Sequence, residues 1–175
     1  PAHSVRELIA IAKSKPAALN YASSGVGAPP HLSGEMFNQL AGVKLTHVAY
    51  KGDAPAIVDL LGGHVDLAFI SISAVTPYVK SGRLRALAVT SGQRTPIMPE
   101  LPTIAEAGGL KDYDISTWWG LLAPVGTSNE IITKLTAAMA KIAALGDVKS
   151  KYAEMGIEAA ADTPDQFGAF IRAEM

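Results

Sequence analysis

Apolar and polar positions along the chain alternate between helical and strand periods from one end to the other. Val5, Leu8, Ile9 and Ala12 make one apolar face behind Ser4 and Glu7, which have capping-box spacing, and Lys13-Ser14-Lys15-Pro16 closes that helix. Leu19 to Ala22 predicts a short strand. Leu32, Glu35, Met36, Gln39 and Leu40 then run with helical spacing as far as Gly42. Thr46 to Tyr50 predicts a second strand, Ala54 to Leu61 a helix ended by Gly62-Gly63, and Val65 to Ile70 a third strand. A helix over Val75 to Lys80 and a strand over Leu84 to Thr90 repeat the theme.

Ser91 to Asp114 is rich in Pro and Gly (Pro96, Pro99, Pro102, Gly108, Gly109), with one short helix near Thr103 to Ala107, and is the expected domain edge or crossover. Ile115 to Ala123 reads as a strand, which would put Trp118 and Trp119 on opposite faces. Thr127 with Glu130 caps a helix running to about Leu145, and a further helix spans Asp147 to Met155. Thr163-Pro164-Asp165-Gln166 opens the last, with Thr as cap, Pro at the first helical position and Gln reaching back. A right-handed crossover in the unit Thr46 to Ile70 makes its two strands parallel. The expected fold class is therefore α/β, a largely parallel sheet flanked by helices on both faces.

Composition narrows the function. The 175 residues carry a net charge of −1, with 49% apolar residues and no cysteine. There is no basic field for nucleic acid or an anionic membrane surface, and no disulfide framework, thiolate metal site or Cys nucleophile is available. Pro1 to Glu7 has no basic stretch followed by an apolar run, so no signal peptide is read there. No segment reaches the ~20 apolar residues of a membrane span. The chain opens on a helix start and stops at Glu174-Met175 within a helical pattern, so further sequence is expected at both ends.

Catalytic and cofactor motifs are weak. Gly25-Val26-Gly27 begins like a dinucleotide fingerprint, but Pro30 stands where the third glycine belongs. Neither a Walker-type loop nor Gly-x-Ser-x-Gly occurs. His3, His31, His47 and His64 include no His-Glu-x-x-His; His31 with Glu35 is either two ligands on one helix face or an ordinary polar pair. Asp53 is explained as a helix cap, Asp66 as a polar strand entry, and His64 as an exposed turn residue. No metal, cofactor or catalytic residue is expected.

One loop remains. Ser23-Ser24-Gly25-Val26-Gly27-Ala28 leaves a strand end and enters a helix, where backbone N–H groups and the helix dipole favour an anion without a cation. The same loop can equally be a tight glycine turn. Tyr50-Lys51-Gly52-Asp53 and Phe69-Ile70-Ser71-Ile72-Ser73 would open on the same side of a parallel sheet, and three polar strand ends make a crevice.

Asn20 to Gly27, His31-Leu32-Ser33-Gly34-Glu35-Met36-Phe37, Val48 to Gly52 and Asp59 to Gly63 together resemble the tripartite tricarboxylate transporter substrate-binding family, the Bug-type periplasmic receptors. So do Gly82 to Thr90, Pro102-Thr103 with Glu106, Trp119 to Pro124, and Thr163-Pro164 through Phe167 to Ile171. The resemblance implies a two-lobed periplasmic binding protein of type II, which closes on a small carboxylate (a di- or tricarboxylate, amino acid or aromatic acid) and presents it to membrane transporter subunits without turning it over. Carried over, the ligand residues are Ser23, Ser24, Gly25, Gly27 and Ala28, with Tyr50 and Ser71 as supplements. Ala28 stands where a hydroxyl residue is frequent. Family members are longer, which implies that residues 1–114 are the second, ligand-binding lobe and 115–175 a returning strand and helices of a first lobe. Alone, those returning elements would expose apolar surface that a swapped or oligomeric assembly would cover. An α/β enzyme acting on a small organic acid is the alternative, and a ligand sensor for signalling would use the same lobes.

Overall fold

A computed structural model describes residues 2–174. The elements are α1 (Val5–Ser14), β1 (Asn20–Ser23), α2 (Pro29–Ala41), β2 (Thr46–Ala49), α3 (Asp53–Gly62), β3 (Leu67–Ala68), α4 (Ile72–Lys80), α5 (Ile104–Gly108), α6 (Asn129–Ala144), α7 (Gly146–Met155) and α8 (Pro164–Ala173). They fall into two compact units, Pro1–Thr117 and Trp118–Met175.

The first unit holds a three-stranded parallel sheet in the order β2-β1-β3. Successive residues of a strand face opposite sides, and the sheet is buried accordingly. Tyr21 lies in a cluster with Val5, Leu8 and Ala12 of α1 and Phe37 and Ala41 of α2. Its neighbour Ala22 lies in a second cluster with Ala56 of α3 and Val65. Helices therefore cover both faces, as the alternating pattern predicts. Tyr21 is fully buried because Gly34 leaves room for it: a Cβ at Gly34 would fall inside the Tyr21 ring.

Two predicted strands are absent. Leu84 to Thr90 forms no ladder, and only Val89 makes an isolated parallel bridge, with Thr103. β3, the edge strand, is two residues long and offers little to pair with. Ile115 to Ala123 is likewise not a strand, so the opposite-face reading of the tryptophans fails with it. Trp118 instead sets its ring edge-on to Phe167 and Phe170 of α8, at 5.5 and 5.4 Å, while Trp119 is exposed.

Caps were placed correctly in outline and shifted in detail. Thr103 and Thr163 form complete capping boxes with Glu106 and Gln166. Ser4 accepts from the Glu7 amide, but the Glu7 carboxylate takes the His3 amide, so that box is half made. The α6 cap is Ser128, because Thr127 donates its hydroxyl to the Pro124 carbonyl. Asp53 is not a cap either; Gly52 holds that position at φ 104°, a conformation that asks for glycine.

In the second unit, α6, α7 and α8 bury no described residue. Ile131, Leu135, Met139 and Ile142 run exposed along one stripe of α6.

Candidate functional site

Parallel pairing puts the C-terminal ends of β1, β2 and β3 at one edge of the sheet. The loops that leave this edge lead into α2, α3 and α4. They are laced together by backbone bonds: the Tyr50 amide donates to the Ser23 carbonyl (3.0 Å), Gly52 to Ser24 (3.1 Å) and Phe69 to Ala22 (3.1 Å).

Three helix N-termini face out here, and they are not equivalent as anion sites. The start of α2, where the sequence led us to expect free amides, offers few. Pro29 and Pro30 occupy the first turn of α2 and have no N–H, and the His31 and Leu32 amides donate to the Ala28 carbonyl. α3 begins with Asp53, whose carboxylate already sits at the positive end of the dipole and repels a second anion. α4 carries no acidic residue in its first turn and starts Ser71-Ile72-Ser73; the Ser71 hydroxyl makes no cap bond.

The loop after β1 is braced from inside. Ser23 is fully buried, and its Oγ accepts from the Gly25 amide (3.2 Å) and lies 2.7 Å from His47 Nε2. The Gly27 amide donates to His31 Nδ1 at 3.1 Å. Beneath, Tyr21 donates to Glu35 Oε1 (2.6 Å). Burial, and then the Glu35 hydrogen bond, push the Tyr21 phenol well above its ordinary value. Burial, and then His31, hold the His47 imidazole below its ordinary value, against an opposing pull from Glu35. Among the described residues, the amides of Ser24 and Val26 have no intramolecular partner.

Of the residues singled out in the sequence, Ser24, Gly25, Gly27 and Ala28 lie in this loop and Ser71 starts α4 on the same edge. Tyr50 follows β2, and its hydroxyl donates to Asp59 Oδ2 at 2.7 Å. That bond, and then His64, lower the Asp59 carboxyl below its ordinary value. His31 and Glu35 do not pair: one takes the Gly27 amide, the other the Tyr21 hydroxyl. Among the described residues there is no cluster of three metal-ligating side chains. Val26 and Ser73 lie within segments expected to form the crevice but were not singled out as ligand residues, and His47 was weighed only as a metal-ligand candidate. For His31 the spacing of four from Gly27 was a usable signal; for His47 there was none, because it meets Ser23 only through strand register.

A parallel sheet covered by helices on both faces, with a polar edge at its strand ends, is the arrangement in which open α/β sheets take up ligands. The family described as tripartite tricarboxylate transporter family receptor matches residues 1–175, and the chain belongs to it. BugT of Bordetella pertussis is 36% identical over 172 residues, which cover 98% of this chain and 52% of BugT. A solved structure titled "R. palustris Rpa4515 with adipate" superposes with a TM-score of 0.87 at 38% identity, covering 99% of this chain and 58% of that one. Another, MatC from Rhodopseudomonas palustris with bound malate, has a TM-score of 0.77 at 30% identity, with 99% and 58% covered. The chain thus spans about half the length of BugT. Among the described residues no helix is long and apolar enough to cross a membrane.

Proposed function

We propose that this chain is part of the substrate-capturing receptor of a tripartite tricarboxylate transporter, which holds a small carboxylate in the periplasm for the membrane subunits. The observation that carries the reading is the common edge of three parallel strands, where the Ser24 and Val26 amides and the uncharged start of α4 are left to a ligand. Relatives titled with adipate and malate support a dicarboxylate. An anion held there is bound by peptide dipoles and hydroxyls, with ordered water bridging, and needs no arginine.

In this reading Ser24, Gly25, Gly27 and Ala28 supply the loop that meets the carboxylate, and Ser71 a hydroxyl from the neighbouring strand end. Ser23 and Tyr50 act from behind, since their hydroxyls already serve His47 and Asp59. Residues 1–114 form the ligand-binding lobe, and 115–175 belong to the other lobe of a longer receptor. The exposed stripe of α6 is then the surface that meets that lobe.

The enzyme alternative has one observation in its favour. Ser23 and His47, at 2.7 Å, have the spacing of a nucleophile and its base. Ser23 is fully buried, however, and a substrate carbonyl would have to pass through the loop to reach it. The pair therefore braces the loop in our reading. A thermal-shift panel of malate, adipate, citrate, glutamate and benzoate tests the choice. A receptor shows a concentration-dependent rise in melting temperature with the acid recovered unchanged; turnover of the acid, or no shift with any of them, contradicts it.

A further inference from the structure

The loop that presents Val26 rests on a stack of three rings. His47 stacks on Tyr21 at 4.9 Å and 26°, and His31 stacks on His47 at 4.2 Å and 29°. Each of three consecutive peptides in the loop is pinned on its inner side. The peptide before Gly25 is held by the Gly25 amide on Ser23 Oγ. The next is held by the Gly25 carbonyl, which accepts from the Ala28 amide (3.3 Å) and the Ser23 hydroxyl (3.2 Å). The third is held by the Gly27 amide on His31 Nδ1. In a trans peptide the N–H points opposite to the C=O, and the chain has no cis bond among its described residues, so the inward Gly25 carbonyl turns the Val26 amide outward. Val26 itself is 78% exposed.

We propose that His31 is a positioning residue for the anion loop: its neutral imidazole, seated on His47, fixes the Gly27 peptide, and protonation of His31 releases the loop and weakens anion binding. This rests on the carboxylate-receptor reading. Nδ1 accepts the Gly27 amide only while it carries a lone pair; once protonated it sets one N–H against another. Gly27 sits at φ 79° with open space where a Cβ would be, and beyond the turn that the Ala28 amide closes on the Gly25 carbonyl, the imidazole is what its own amide bonds to. The groups facing the pair are Tyr21 and Ser23 from β1 and Glu35 from α2. Tyr21 stays neutral across the physiological range. Glu35 is engaged by the Tyr21 hydroxyl, so it does not compensate a charge on His31 by direct contact.

The test uses His31→Asn and His31→Ala. Asn places a carbonyl oxygen where His carries Nδ1 and does not titrate, so it should restore the bond at every pH. In ligand-free 15N-labelled protein, the Gly27 amide shift should change on acidification in the wild type, as the imidazole gains its proton, and stay flat in His31→Asn. Adipate affinity at pH 7.5 should be near wild type in His31→Asn and about tenfold weaker in His31→Ala. On acidification it should fall in the wild type and hold in His31→Asn. A Gly27 amide indifferent to pH, wild-type affinity in a folded His31→Ala, or a wild-type pH slope in His31→Asn would overturn the proposal. A wild-type protein that binds no dicarboxylate at any pH counts against the receptor reading instead, and the ligand-free titration then still decides the role of His31.

Discussion

The two compact units carry equally clear helix signals and use them differently. In Pro1–Thr117, α2 ends on a left-handed Gly42, α5 has a full capping box, and the apolar faces close on the sheet until Tyr21, Phe37 and Tyr113 are almost entirely buried. In Trp118–Met175, α7 ends on a left-handed Gly156, α8 has a full capping box, and no described side chain is buried. Capping satisfies the orphan amides and carbonyls of one helix and is complete within a few residues. Burial needs a second surface with a matching shape. Local rules specify where these helices start and stop, while the hydrophobic energy that fixes a unit comes from a partner surface that local sequence does not name.

Substitutions in the two units should separate these contributions. Phe37→Ala removes a ring packed on Phe69 in the core and should cost about 3–5 kcal/mol in urea unfolding followed by circular dichroism. Leu135→Ala, on the exposed stripe of α6, should stay within about 0.5 kcal/mol. A large loss at Leu135 would mean that α6 has a buried partner after all. The caps should behave alike: Thr103→Ala and Thr163→Ala are each expected to cost about 1 kcal/mol, the first read in the unfolding of the core and the second in helix content alone.

The smallest effect is one of pH and belongs to the first unit only. The folded state holds His47 below its ordinary value, so between that depressed value and about 6.5 the unfolded chain binds more protons than the folded one. Stability is therefore complete above this window and declines as pH falls through it. Asp59 and Glu106 are also lowered, by the Tyr50 hydroxyl and the Thr103 amide respectively, and their contributions fade only on further acidification. His47→Gln, which keeps a polar terminus near Ser23 and does not titrate, should flatten the decline through this window and leave the more acidic one in place. Helix signal of the second unit, monitored through Thr163→Ala, should not follow the His47 window.

Much of the first unit was legible. The strand, helix, strand pattern from Thr46 to Ile70 announced two parallel strands, which lie on either side of β1, and this shared direction brings three polar strand ends to one edge. Leu84–Thr90 and Ile115–Ala123 have the composition of strands, but a strand exists only with a neighbour, and their sequence says nothing of whether one is present. The position of the loop between a strand end and a helix start was legible, whereas the internal bonds of its amides were not. Pro29-Pro30 withholds two N–H groups from the start of α2, which in our reading leaves Ser24, Val26 and the start of α4 to meet the anion. The stack of Tyr21, His47 and His31 draws one ring from each of three elements and leaves no local pattern to read.

The central claim is that a carboxylate binds at this sheet edge through the loop amides. An amide chemical-shift titration of the 15N-labelled chain with adipate at neutral pH tests it most directly, since millimolar ligand reveals weak binding. Saturable shifts are expected at Ser24, Val26 and Gly27 and at Ser71 to Ser73. Shifts confined to other surfaces, such as the Arg83–Arg85 segment, or none in a protein whose core amides show it folded, would contradict it.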